Sequence, residues 1–282
     1  MARTASLNIL NGTTQDELAE SYGHLIESIQ KSALSEQLKN TIYSGDPTTG
    51  SVEIDRFRNS EAGDYGDARA AQKGAGLNNS GKVTINIDKN KEIIEEVEAK
   101  DIALFGIPSL LSRRVSNHSR RMIANLDTVF FKTAVDEGTE VTLDSSVVAI
   151  EDVMEALIQS VETTTNYYVD GVDRDQLVMT LNPATYGKLR NYIDHVSNPT
   201  VDSGTESVAM FHGVRVYSNI RQSVAAIVMI EGAIGQPVMV NEYADEKINL
   251  SNAHAIELFY SYGTKAIMPD LIKTLTELPT GA

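Results

Sequence analysis

Apolar side chains recur at helical spacing through Leu18, Tyr22, Leu25, Ile26, Ile29, Ala33 and Leu38, which predicts a helix over residues 14–39. Thr13 or Thr14 serves as its N-cap, and Asp16 and Glu17 suit its first turn. The pattern then changes period. Val52 and Ile54 alternate with Glu53 and Asp55, and Val83, Ile85 and Ile87 alternate with polar neighbours. Between these two strands lies a Gly-, Asp- and Asn-rich connection, residues 60–80, with almost no bulky apolar side chain. The reading is a long β-hairpin whose tip cannot bury much of itself and finds its partner outside its own subunit.

Residues 89–105 carry Ile93, Ile94, Val97 and Ile102 among acids, and both strand and helix fit. The longest helical signal follows over 108–137. Pro108 suits its first turn, Leu110 to Phe130 trace a broad apolar stripe, and Gly138 is a stop. Another helix is expected over 147–166, with Ile150, Val153, Met154, Leu157, Ile158 and Val161 on one side. A turn at 170–175 leads to a short buried strand, 177–181, and to a helix opened by Asn182 and Pro183, with Asn182 as cap. After a polar loop at 198–204 come strands at 214–218, 225–230 and 237–243, and a long final strand within 256–268. Helix and strand alternate irregularly, so the class is α+β without a fixed-period repeat.

Composition narrows the function. The apolar share of the 282 residues is 41%, ordinary for a globular chain. Cysteine is absent, which removes disulfides, thiolate metal sites and cysteine nucleophiles. The longest apolar run, Val224 to Ile230, is far short of the ~20 residues that span a bilayer, and a soluble cytoplasmic product is expected. A net charge of −15 argues against a DNA-reading module with a basic face. The charge is uneven. Residues 101–140 hold as many cations as acids, and four of the five cations lie between Arg113 and Arg121.

No motif assembles a reaction centre. The five histidines, His24, His118, His195, His212 and His254, show no i, i+3 or i, i+4 pairing, and each reads as a surface or packing residue. GAGLNN (74–79) lacks the third glycine of a dinucleotide fingerprint, and no P-loop or GxSxG occurs. Asp170, Asp173 and Asp175 read as solvated acids of a turn, and Glu92, Glu95, Glu96 and Glu98 as a solvated charge run. Arg113, Arg114, Arg120 and Arg121 fit ion pairs with an acidic protein neighbour better than phosphate contacts. No catalytic residue, cofactor or metal is expected, and the chain is read as not an enzyme.

The order of elements is more telling than any motif. An N-terminal arm, a long Gly-rich hairpin, a long helix, an α+β half and a closing strand together resemble the major capsid proteins of tailed bacteriophages, the Hong Kong 97-type fold. LVMTLNPATYGKL (177–189), FHGVRVYSN (211–219) and HAIELFYSYGTKAIMPDLIKTL (254–275) resemble strand segments of that family, the last with Tyr262-Gly263 and Pro269. The resemblance spans nearly the whole chain. It implies an N-terminal arm (1–42), an extended hairpin loop (43–90), a peripheral domain with the spine helix (91–145), an axial domain (146–243) and a return to the peripheral domain (244–282).

It also implies pentamers and hexamers that close into an icosahedral shell around double-stranded DNA, bound without sequence specificity. Assembly would take place in the bacterial host's cytoplasm, and the virion capsid is the expected location, with no membrane. Hairpin residues Arg56, Arg58, Arg69 and Lys73 and helix residues Arg113, Arg114, Arg120 and Arg121 are expected at contacts between subunits. The hairpin starts by about residue 45, so a separate scaffolding protein is implied, with a portal and a decoration protein as further partners. Lys73 and Lys82 flank the tip, but nothing marks a crosslinking asparagine or an activating glutamate, so noncovalent contacts are expected to hold the shell. Two alternatives remain: an encapsulin-like nanocompartment shell, and a soluble α+β enzyme with an unrecognised site.

Overall fold

The computed structural model describes residues 33–60, 62, 64–66, 81–98, 107–144, 146–195, 208–247 and 253–279. In chain order the elements are α1 (Leu34–Leu38), β1 (Ser51–Arg56), β2 (Gly81–Asn86), β3 (Lys89–Glu98), α2 (Ile107–Glu137), β4 (Thr139–Glu140), α3 (Ile150–Glu162), β5 (Leu177–Leu181), α4 (Pro183–His195), β6 (Met210–Phe211), β7 (Val214–Ser218), β8 (Ala226–Ile230), β9 (Ile234–Gly235), β10 (Val238–Lys247), β11 (Ala253–Tyr262), β12 (Lys265–Ala266) and β13 (Ile272–Leu275). They fall into two units. The first comprises residues 1–37, 87–127 and 238–263, the second 38–86, 128–237 and 264–282.

The second unit is built on a six-stranded sheet in the order β4-β13-β8-β5-β7-β6. Its central strand, β5, is buried at all five positions. That is why LVMTL, polar only at Thr180, reads as a nearly continuous apolar run and not as an alternating one. Leu177, Met179 and Leu181 face a core shared with α3, whose Ile150, Val153, Met154, Leu157, Ile158 and Val161 are all buried there. Each such side chain contributes on the order of 1.5–3 kcal/mol as an upper bound. Asn182 caps α4 as the sequence suggests, accepting from the Thr185 backbone N–H at 2.8 Å. Between β6 and β7, His212 and Gly213 both take positive φ, 46° and 91°. Two such residues between the paired Phe211 and Val214 make a type I′ hairpin turn, whose twist matches that of the strands.

The predicted hairpin exists as the β1–β2 ladder, antiparallel from Ser51↔Asn86 to Arg56↔Gly81. Val52, Ile54 and Ile85 are buried with Ile267 in a small core of their own, so the stem is docked on its own chain. Gly235 permits this: a Cβ there would lie 2.4 Å from Ile85 Cδ1. Of the connection 60–80, only residues 60, 62 and 64–66 fall among those described.

The first unit holds an antiparallel sheet, β10-β11-β3. The stretch that fitted helix or strand equally is therefore a strand over Lys89–Glu98. Alternation places Leu258, Tyr260 and Tyr262 of β11 inside. Asn125 of α2 donates to both Tyr260 Oη (3.1 Å) and Tyr262 Oη (3.3 Å), and Asp127 accepts from the Ser35 N–H at 3.0 Å.

The long helix α2 is present within a residue of its expected bounds, with Met122, Ile123, Leu126, Phe130, Phe131 and Ala134 buried. The Gly138 N–H closes it on the Ala134 carbonyl at 3.1 Å. Of the helix expected over 14–39, Leu34–Leu38 is helical and residues 14–32 lie outside the described residues.

Two expectations are corrected. The helix at 147–166 is shorter, ending at Glu162, because Thr163 and Thr164 turn their hydroxyls back to the Gln159 and Ser160 carbonyls and lead into a tight turn. The long final strand ends at Tyr262. The chain then turns and resumes as β12 and as β13, which joins the six-stranded sheet antiparallel to β8 and parallel to β4. Four residues, IKTL, are too few to carry a period.

Candidate functional site

Arg56 ends the β1 ladder, and its guanidinium donates to Asp270 Oδ2 at 2.7 Å while lying 4.3 Å over the ring of Tyr168. Asn166 donates to the same carboxylate oxygen at 2.5 Å. Asn166 is itself held by a tight turn, its Oδ1 accepting from the backbone N–H groups of Tyr168 (2.8 Å) and Val169 (3.0 Å). The backbone is tied too, with Asn59 N–H donating to the Tyr167 carbonyl at 2.9 Å. Burial pushes the Asp270 carboxyl up, but hydrogen bonds from Arg56 and Asn166 outweigh it and hold the group below its ordinary value. The stem of the hairpin is thus clamped at its distal end by a charged, partly buried knot.

Around this knot the surface is aromatic. Phe57 is half exposed and Tyr167 is 77% exposed. Arg58 lies 5.3 Å over the Tyr167 ring. Exposed tyrosine beside arginine is the composition of protein interfaces, because both offer large area with a polar handle.

A second charged knot lies in the same unit. Arg174 donates to both oxygens of Glu162 (2.6 and 2.8 Å) and to Glu155 Oε1 at 2.7 Å. His212 Nδ1 stands 2.8 Å from Glu155 Oε2, and the His212 carbonyl accepts from Arg174 at 3.2 Å. The Arg174 hydrogen bonds hold Glu155 down to about 2, against partial burial, and the two carboxylates raise Arg174. This knot fastens the β6–β7 turn to α3. Chemically it is saturated: every charged group has an opposite partner in hydrogen-bond range.

The eight cations expected at subunit contacts have different settings. Arg56 and Arg58 stand at the hairpin root as described. Arg69 and Lys73 lie outside the described residues. Arg113 is on α2, and its side chain is not among those described. Arg114 forms a two-pronged ion pair with Glu95 of β3, beside buried His118, whose Nε2 is 2.9 Å from Glu95 Oε2. Glu95 is held below its ordinary value chiefly by Arg114. Arg120 and Arg121 are exposed, and among the described residues neither has an ion-pair partner. Asp170, Asp173 and Asp175 are exposed in their turn, while Arg174 among them turns inward. Among the described residues no group of three or more His, Cys, Asp or Glu could hold a metal ion, and no helix is long and apolar enough to cross a membrane. Sequence reasoning missed Asn166, Tyr167, Tyr168 and Asp270; the only local signal was two tyrosines in a turn.

No protein-family model and no curated protein matches this sequence. Solved structures do match it. The capsid of the cyanophage P-SCSP1u aligns with 87% of this chain and 88% of its own, at 14% identity and a TM-score of 0.62. The capsid of a native GTA particle covers 86% and 88%, at 12% identity and 0.58. The chain has the Hong Kong 97-type capsid fold. A virus-like particle from Pyrococcus furiosus matches this capsid fold too, over 89% of this chain and 95% of that one, at 12% identity and 0.56.

Proposed function

We propose that this chain is a capsid shell subunit, the major head protein of a tailed bacteriophage. It assembles with copies of itself as pentamers and hexamers into an icosahedral shell enclosing double-stranded DNA. The observation that carries this reading is the extent of the fold match, which takes in 86–89% of the chain in all three comparisons above. The exposed aromatic and arginine side chains at the hairpin root support it, since a shell needs large contacts between copies. Of the cations at the hairpin and on α2, the exposed Arg58, Arg120 and Arg121 serve such contacts, whereas Arg56 and Arg114 are held by Asp270 and Glu95 of their own chain, and a scaffolding protein, a portal and a decoration protein are the further partners. The net charge of −15 would keep packaged DNA mobile against the wall through repulsion.

Negative-stain microscopy with sedimentation, on the chain alone and with co-expressed neighbours, tests this. Closed shells, or rings of five or six copies, are expected. A stable monomer or dimer under both conditions overturns it. The match to the Pyrococcus furiosus particle favours a second reading, a nanocompartment shell with protein cargo. Nuclease-protected DNA inside purified particles supports the phage shell, and particles filled with protein and free of DNA support the compartment.

A further inference from the structure

Beside the hairpin root the second unit has an open groove of about 700 Å³. Its lining is partly apolar, with Val172, Ile230 and Leu271, and half-exposed Phe57 stands at its wall. Asp55, Asp170 and Asp173 also line it, and all three are exposed. The charges around them are committed elsewhere. Arg56 is held by Asp270, Glu162 by Arg174, and Lys82, which faces Asp55 across the ladder, pairs with Glu53. Among the described residues, none of the three aspartates has an ion-pair partner.

The same chain carries the complement. Arg120 and Arg121 are exposed on α2, and the residues three and four positions before and after them (Ser116, Asn117, His118, Ile123, Ala124, Asn125) include no acid that could pair along the helix. Two uncompensated arginines in a chain of net charge −15 are an unusual outlay of positive charge. They are also the side chains best suited to enter a groove with an aromatic wall and carboxylates, since a guanidinium can hydrogen-bond the acids while its flat face lies on the ring.

We propose that this groove is the docking site for Arg120 and Arg121 of a second copy of the chain. The inference rests on the shell reading and deepens it by naming the two faces of one subunit contact. The contact is heterologous, groove on one copy and helix on the next, and contacts of that kind generate rings when the rotation closes. The electrostatic match sets register and speeds encounter more than it adds raw affinity, so assembly through this contact weakens with salt.

Because the chain has no cysteine, two introduced thiols report the contact directly. Arg121→Cys and Asp173→Cys chains are prepared separately, mixed, assembled and treated with a short bis-maleimide. The expected result is a covalent two-chain species from the mixture and from neither variant alone. In parallel, Arg120→Glu with Arg121→Glu, and Asp170→Lys with Asp173→Lys, should each cut the yield of particles about tenfold. The four-fold charge swap in one chain should restore it. Particles of normal yield from both reversed variants, or particles without mixed crosslinks, overturn this contact and leave the shell reading standing. A crosslink within a single chain carrying both cysteines, without any two-chain product, also overturns it. Failure of the unsubstituted chain to form particles, alone or with neighbours, overturns the shell reading and this contact with it.

Discussion

Arg56 and Asp270 meet at 2.7 Å although 214 positions separate them in the chain. One ends the stem of the hairpin, and the other sits in the short turn Pro269–Leu271 that leads into β13. Their side chains are only 13% and 25% exposed, so the pair is worth more than a surface ion pair. Arg56→Ala would leave the carboxylate partly buried with one fewer donor. The expected cost is about 1–3 kcal/mol in urea unfolding. Arg56→Lys should fall between, since it keeps the charge but loses the flat stack on Tyr168.

The knot at Arg174 predicts a pH dependence. Glu155 is held at about 2 against an ordinary value of 4.5. A carboxyl depressed in the folded state adds stability that is complete above the unfolded value and is lost as pH falls toward the folded one. Stability should therefore decline from about pH 4.5 down to about pH 2 through this group, by on the order of 1 kcal/mol once partial solvent exposure is allowed for. Arg174→Met should flatten that part of the curve, read from unfolding midpoints across a pH series. An unchanged slope would mean that the knot contributes nothing to acid sensitivity.

Gly138 ends α2 at a place where no side chain fits. A Cβ there would stand 2.3 Å from the Ala134 carbonyl oxygen and 2.9 Å from Ile272 Cγ2. The first of these is backbone and cannot swing away. Gly138→Ala should cost about 1–3 kcal/mol, seen as a lowered melting temperature by calorimetry. Gly187→Ala, where nothing lies within 4 Å, is the matched control and should be neutral or slightly stabilising.

Asn182 predicts a smaller, cleaner effect. Its Oδ1 is the acceptor for the Thr185 N–H at the start of α4. Asn182→Ala should lose about 1 kcal/mol, and Asn182→Asp or Asn182→Ser should lose little. Equal losses in all three would show that the residue acts through packing and not as a cap.

Much of the fold was legible because its signals are local. Helix α2 shows in an apolar stripe kept up over many turns, the stem strands in the alternation of Val52 and Ile54 and of Val83 and Ile85, and α4 in a cap residue followed by proline. The order of those elements was enough to suggest the capsid fold. The segment 89–98 was not legible, because Ile93, Ile94 and Val97 satisfy both periods and only pairing with β11 decides between them. β13 was missed for a related reason, since four residues become a strand only by lying between β4 and β8.

The candidate site divides along the same line. Charge alone singled out the arginines of α2, because cations are scarce in a chain of net charge −15, and the family resemblance added Arg56 and Arg58. What each of them does was decided by distant partners. Arg56 is bound by Asp270, which also accepts from Asn166, and Arg114 by Glu95 of β3, whereas Arg120 and Arg121 remain exposed on the same helix. Periodicity and capping are properties of neighbours in sequence, so the chain states them by itself. Ion pairs, strand order and groove walls join residues far apart in sequence, and only folding brings those together.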